Sequence, residues 1–322
     1  MIPNESRRRA LSQLCSALGS MVLEALEDPS VVEVMLNADG RLWEERLGAG
    51  MWEIGSMQPY QAEALIRCVA AALNMTVSWD RPLLEGELPI DGSRFAAQLP
   101  PIVSAPTFAI RKKASAVYML DQYVSSGTMT QQQKDALCDA VAAHRNILIS
   151  GSTGSGKTTL LNGIIAESVR QFPDERLILI EDTKELACSA ANFVQFHTSL
   201  EVGMTALLRT TMRMRPDRIL VGEVRGPEAL DLLKAWNTGH EGGFGTLHAN
   251  DARSALSRLE SLVSEHPHPP KPIQPVIGQA VHMIVHITRD ETLGRRIREI
   301  VAVDNYNSDT GYFIRDLSEK AK

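Results

Sequence analysis

From Ser6 to Glu27, Leu11, Leu14, Leu18, Val22, Ala25 and Leu26 recur at steps of three and four residues, the period of an amphipathic helix. The pattern then changes. Val31 to Leu36 and Arg41 to Arg46 read as two strands, and Asn37-Ala38-Asp39-Gly40 supplies the positive-φ position that a tight hairpin between them needs. A second helix fits Pro59 to Leu73. Short strands fit Phe95 to Leu99 and Thr107 to Arg111, set apart by the Pro100-Pro101 and Ala105-Pro106 breaks. Residues 1–112 therefore predict a small α+β domain, and residues 113–129, weakly periodic with a Ser125-Ser126-Gly127 tract, predict a linker.

Beyond it the pattern alternates. A helix with Thr130 as N-cap leads to the apolar strand Asn146 to Ser150 and on to a glycine-rich loop. Further strands fit Arg176 to Glu181, Phe193 to His197, Arg218 to Glu223, Gly245 to His248, Val281 to Thr288 and Arg296 to Val303, with helices between most of them. Such alternation predicts an α/β domain over residues 130–322 with a mostly parallel sheet. A turn from Asp290 to Gly294 would join the last two strands antiparallel, with Tyr312 to Leu317 as a further edge.

Composition narrows the class without choosing a function. The 322 residues are 44% hydrophobic and 22% charged, an ordinary globular balance with room for two cores. A net charge of -6 disfavours stable nucleic-acid binding by bulk phosphate neutralisation. Cys15, Cys68, Cys138 and Cys188 stand far apart with no zinc-type spacing, which predicts free thiols in a reducing cytoplasm. No stretch of about 18 apolar residues predicts a membrane span. Arg7-Arg8-Arg9 opens the first helix and offers a peripheral contact to anionic lipid, with a solvated helix face as the plainer reading.

The chemistry concentrates after Ser150. Gly151-Ser152-Thr153-Gly154-Ser155-Gly156-Lys157-Thr158 satisfies G-x-x-x-x-G-K-[ST] between an apolar strand and a helix, the context that the motif requires. Its glycines let backbone N–H groups turn toward phosphate oxygens at a helix N-terminus. Lys157 would neutralise the β- and γ-phosphates of ATP, Thr158 would offer its hydroxyl to Mg²⁺, and Thr159 would lie near the α-phosphate. Arg218-Ile219-Leu220-Val221-Gly222-Glu223 is an apolar strand ending in a carboxylate, which makes Glu223 the candidate base for an attacking water. Gly222 stands where many such enzymes carry an aspartate, so Glu181 and Asp182, at the end of the preceding strand, are candidate helpers at the metal with Glu223, directly or through water. Glu181 and Glu223 remain alternatives as the base. The stretch Thr238 to Asn250 gathers glycines with His240 and His248, read as a phosphate-sensing loop between helical segments; zinc would need a third ligand that the stretch lacks. Arg94 and Arg111 are candidates for an arginine finger supplied by a neighbour.

Together these boxes resemble the secretion-ATPase superfamily of type II and type IV secretion. The Walker A box is Gly151 to Thr158, the Asp box resembles Leu179 to Leu186, the Walker B box resembles Arg215 to Arg225, and Thr238 to Asn250 is similar to the His box. Met35-Leu36-Asn37-Ala38-Asp39-Gly40-Arg41-Leu42-Trp43 is similar to the conjugative-transfer branch. The resemblance implies a RecA-like P-loop ATPase domain preceded by a smaller α+β N-terminal domain, in a cytoplasmic homohexameric ring that holds ATP between the two domains. It makes Arg94 and Arg111 nucleotide contacts, His240 and His248 coupling residues and Glu223 the Walker B glutamate, and it implies inner-membrane secretion components as partners. A glycine at 222 is usual there. A nucleic-acid translocase and a nucleotide-gated scaffold with little turnover are the alternatives.

Overall fold

The computed structural model describes residues 4–46, 49–113, 117–199, 201–290 and 294–318, and within the first helix it leaves aside the side chains of residues 4–7 and 10. The side chain of Arg7 and the interior of the turn expected at Asp290–Gly294 thus lie outside the described residues. Two compact units emerge, Met1–Ser115 and Ala116–Lys322.

In the first unit the helix α1 (Asn4–Glu27) presents Leu14, Leu18, Val22 and Ala25 to the core, as its period predicts, and is interrupted at Gly19, whose φ of 75° leaves the helical region. The strands are β1 (Val31–Leu36), β2 (Arg41–Arg46), β3 (Gly50–Ser56), β4 (Leu83–Glu87), β5 (Arg94–Gln98) and β6 (Thr107–Arg111), with α2 (Pro59–Ala72) between β3 and β4. They form one antiparallel sheet in the order β3-β2-β1-β6-β5-β4. Gly40 adopts a φ of 83° in the β1–β2 turn, as the Asp-Gly signal requires. Val34, Leu42, Phe95, Phe108 and Ile110 point to one face and join the α1 and α2 residues in one core. The edge strands β3 and β4 were not foreseen, because neither carries the alternation that marks a half-buried strand: β3 leaves Met51 and Trp52 exposed beside two glycines.

The second unit begins with α3 (Leu120–Ser125) and α4 (Gln131–Ala142). Leu120 and Tyr123, inside the stretch read as linker, are buried in this unit's core. Thr130 caps α4, accepting from the Gln133 amide at 3.2 Å while the Gln133 side chain accepts from the Thr130 amide. The strands are β7 (Ile147–Ser150), β8 (Leu177–Glu181), β9 (Phe193–His197), β10 (Arg218–Val221), β11 (Phe244–Leu247), β12 (Met283–Asp290), β13 (Gly294–Asn307) and β14 (Gly311–Asp316). The intervening helices are α5 (Lys157–Gln171), α6 (Met204–Thr211), α7 (Glu228–Trp236), α8 (Ala252–Ser264) and α9 (Gln274–Ala280). The sheet runs β14-β13-β12-β7-β11-β10-β8-β9, parallel from β12 to β9 and antiparallel where β13 and β14 close the edge.

Every residue of β7, β8, β10 and β11 is buried, the mark of a parallel sheet covered on both faces. Leu148, Ile178, Ile180, Ile219 and Val221 face α6 to α9, whereas Ile147, Ile149, Leu177, Leu179 and Leu220 face α3 to α5. The central strands thus end side by side, at the edge where an open α/β sheet collects its ligand-binding groups.

Candidate functional site

The loop Gly151–Gly156 connects β7 to the start of α5, and its backbone has the shape that the motif needs: Gly154 and Gly156 adopt φ values of 71° and 100°. A Cβ on Gly151 would lie 2.3 Å from the Ile287 carbonyl oxygen and 2.6 Å from Ser155 Oγ, so only glycine fits there. Ser152, Thr153 and Gly154 are exposed along the loop, while Ser155 is buried and its hydroxyl has no hydrogen-bond partner among the described residues. Thr158 and Thr159 follow on the first turn of α5, half-buried.

Lys157 is buried with its ammonium turned into the loop, donating to the Gly151 and Ser152 carbonyls at 3.0 and 2.9 Å. Burial lowers its pKa, opposed by the charge of Glu223. His248 follows β11, which pairs with β7, so its ring sits beside this ammonium with Nδ1 3.3 Å from Lys157 Nζ. Burial and then the Lys157 charge lower the His248 pKa. The other ring nitrogen, Nε2, lies 2.9 Å from Glu223 Oε1. That approach lacks hydrogen-bond alignment, and Oε1 is a buried carboxylate oxygen without a hydrogen bond among the described residues.

The other Glu223 oxygen is held. Arg225 donates to Oε2 at 2.6 Å and reaches Asp182 Oδ2 at 3.4 Å, while Asp182 Oδ1 accepts from the Thr198 hydroxyl at 3.0 Å. Arg225 closes the apolar Walker B run in sequence, yet nothing in a single chain distinguishes it from a solvated arginine; its role appears only once β8 and β10 stand adjacent.

Glu181 differs from Glu223. It is buried at the end of β8; Oε2 accepts the Glu185 and Leu186 amides at 2.8 and 2.9 Å, and Oε1 accepts from Gln195 Nε2 at 2.6 Å. Burial nevertheless pushes its pKa up to about 7, outweighing these donors. This carboxyl anchors its own loop rather than presenting free lone pairs to a metal or a water. It also explains Gly222: a Cβ there would stand 2.9 Å from Glu181 Cβ. The expected aspartate position is filled from the neighbouring strand.

The two histidines part company. His240 precedes β11 and His248 follows it, so the stretch read as one loop between helices contains a buried strand. His240 Nδ1 lies 3.1 Å from the Pro216 carbonyl oxygen, at the end of the sheet away from Gly151–Thr158, and within this unit it is not brought to the loop. Sequence reasoning missed His286, which is buried on β12 with Nδ1 2.9 Å from the hydroxyl of Ser150, the last residue before the loop. Its signal was its register, since β12 pairs His286 with Ser150.

Arg94 and Arg111 belong to the first unit, opposite one another across β5 and β6. Arg111 pairs with Glu33 at 3.2 Å, and Arg94 makes no ion pair among the described residues. No cluster of three or more metal-ligating His, Cys, Asp or Glu side chains occurs among the described residues, and the four cysteines are free thiols.

Residues 26–307 match the family "Type II/IV secretion system protein". The chain is 52% identical over 304 residues to the conjugal transfer protein TrbB of Rhizobium radiobacter, covering 94% of this chain and 93% of that one. It is 31% identical over 283 residues to the type IV secretion system protein VirB11 of Bartonella quintana, covering 74% of this chain and 78% of the other. Among solved structures, the Legionella pneumophila ATPase DotB aligns with a TM-score of 0.63 at 19% identity, covering 87% of this chain and 79% of that one, and shares the fold. The pilus retraction motor PilT with bound ADP aligns with a TM-score of 0.60 at 20% identity, over 92% and 80%. The glycine loop, the carboxylate-ended strand, the RecA-like sheet and these likenesses agree: the chain belongs to the type II/IV secretion system protein family, as a TrbB-type secretion ATPase.

Proposed function

We propose that this chain hydrolyses Mg·ATP and that it does so as a homohexameric ring motor energising a bacterial conjugation or type IV secretion apparatus, in pilus assembly or substrate transfer. The observation that carries the hydrolytic part is the buried Glu223 Oε1, which accepts no aligned hydrogen bond among the described residues and lies beside the Lys157–His248 pair at the end of β10, two strands from β7. In this reading Gly151–Thr158 wraps the phosphates and Lys157 pairs with their charge. Glu223 accepts the proton of a water whose oxygen attacks the γ-phosphorus, and the bond to the β-phosphate oxygen breaks to leave ADP and phosphate. Arg225 keeps Glu223 oriented through Oε2. His248 is placed to donate to the departing phosphate. The residues fit a hard divalent cation: the Thr158 hydroxyl would hold Mg²⁺, with Glu223 and Asp182 acting through water, and the ion would neutralise charge on the β- and γ-phosphate oxygens. Glu181 serves by anchoring the 182–186 loop.

The ring, the inner-membrane partners and a place at the cytoplasmic face of that membrane follow from family membership and are proposed on that ground. No helix among the described residues is long and apolar enough to cross a membrane. Arg94 and Arg111 are proposed as nucleotide contacts from the first unit, and His240 as a coupling residue acting between subunits. The test is Mg·ATP hydrolysis per protomer against protein concentration, without DNA, beside Lys157→Ala. Specific activity that rises with concentration supports a site completed by a neighbour. Activity no greater than that of Lys157→Ala would sink the motor in favour of a nucleotide-gated scaffold, and activity appearing only with single-stranded DNA would favour a translocase.

A further inference from the structure

The groups that mark the reactive end of the site all lie to one side of β7. His248 follows β11, Glu223 and Arg225 follow β10, and Asp182 follows β8, in the order in which the sheet sets those strands beside β7. On the other side of β7 come β12 and β13, and they press on the loop directly. Besides the Ile287 carbonyl against Gly151, the side chain of Arg295 on β13 stands against Gly156, with Cδ and Nε 3.1 and 3.3 Å from where a Cβ would be. Its guanidinium donates to the Gly154 carbonyl at 3.4 Å, a long bond to a neutral acceptor, and it has no carboxylate partner among the described residues.

A second surface meets this side. Thr159 and Gly163 lie four residues apart on α5 and so share one face of it. A Cβ on Gly163 would stand 2.7 Å from the Tyr118 carbonyl oxygen, so the chain before α3 crosses α5 one turn beyond Thr159. Tyr118 is 39% exposed, and its ring meets that of Tyr123 edge-on with centroids 6.3 Å apart. Tyr123 is buried behind it; burial raises the pKa of its hydroxyl and the Arg295 charge opposes the rise. Gly156, against Arg295, and Gly163, against Tyr118, stand seven residues apart and so fall on the same side of α5.

A nucleotide whose β-phosphate occupies the loop must send its γ-phosphate one way and its nucleoside the other. With Glu223 and His248 on the γ side, the nucleoside falls on the side of Thr159, Arg295 and Tyr118. We propose that Tyr118 and Arg295 form the nucleoside subsite, Tyr118 giving a purine base an aromatic face to stack on and Arg295 donating to the ribose hydroxyls. The aromatic face suits any purine π-surface, and a guanidinium with no carboxylate partner among the described residues exchanges its long Gly154 bond at little loss. This rests on the reading of Gly151–Thr158 as an ATP site.

The test compares two ligands by calorimetry on the full chain: ADP, which carries the nucleoside, and inorganic pyrophosphate, which does not. Tyr118→Ala and Arg295→Ala should each weaken ADP by about tenfold and leave pyrophosphate unchanged, while Tyr118→Trp retains ADP binding. A variant that weakens both ligands alike supports the loop rather than the nucleoside, and one that leaves ADP unchanged contacts neither; either result overturns the proposal. A parent chain that binds neither ligand refutes the ATP site itself, and the proposal with it.

Discussion

Glu181 should write its protonation into the stability of the second unit. Its carboxyl is buried, and burial raises its pKa from the ordinary 4.5 to about 7 even though two amides and the Gln195 side chain donate to it. In the folded chain the group keeps its proton to about pH 7, whereas in the unfolded chain it releases it near 4.5. Between those values the folded state binds more protons, so raising the pH through that window lowers stability. At 1.36 kcal/mol per pH unit, the whole window amounts to about 3 kcal/mol, complete just above pH 7. Glu181→Gln removes this titration and keeps the shape. Urea unfolding of both proteins from pH 4.5 to pH 8.5, followed by circular dichroism, reads the carboxyl together with its neighbour His197, whose Nε2 lies 3.4 Å from Glu181 Oε1, while groups distant from it cancel in the difference. The parent should lose about 3 kcal/mol relative to the variant across the range. Parallel curves, or a parent that gains stability with pH relative to the variant, would mean that the three donors win over burial and would refute the reasoning.

The remaining expectations concern the reaction and the sheet. Glu223→Gln should lower kcat by about 10²–10⁴ while leaving the melting temperature unchanged, whereas Glu181→Gln should keep turnover close to the parent's; steady-state hydrolysis assays that return the reverse pattern would make Glu181 the base. His248→Ala should cost at least about tenfold in kcat, and His240→Ala should leave hydrolysis intact in dilute protein while lowering stability by about 1 kcal/mol for the lost Pro216 bond. Gly222→Asp should not improve metal-dependent activity: its Cβ meets Glu181 Cβ at 2.9 Å, and overpacking of that kind destabilises by about 1–3 kcal/mol, readable in thermal melts.

Much of this was legible in the chain because the informative signals are local. The Asp39-Gly40 turn, the Thr130 capping box and the apolar runs of β7, β8 and β10 each carry their own physics within a few residues, and the loop Gly151–Thr158 is defined by its spacing. What stayed hidden depends on register and neighbourhood. β3 and β4 are edge strands whose partners, not their own patterns, make them strands. His240 and His248 look alike in sequence, and only the intervening strand β11 separates them to opposite ends of the sheet. Glu181 and Glu223 both close apolar strands, so pattern alone left them as alternatives; the difference is that one meets two loop amides and the other meets a histidine and an arginine. His286 and Arg295 sit on β12 and β13, far from the motif in sequence and against it in space.

The division of labour between the two carboxylates follows from the packing of adjacent strands. β8 and β10 run parallel with Ile180 opposite Val221, so residues 181 and 222 are neighbours at the strand ends. With no side chain at 222, Glu181 fills that space and turns inward to the Glu185 and Leu186 amides, fixing the loop that begins at Asp182. Asp182 is thereby held where Thr198 and Arg225 reach it, and Arg225 in turn holds one oxygen of Glu223. The orientation of the exposed end of the site thus depends on a buried carboxyl at the end of β8, three strands from β7 in the sheet, and a glycine at 222 is the condition for that arrangement. An aspartate there would not add a second acid to the site; it would displace the anchor that aims the first.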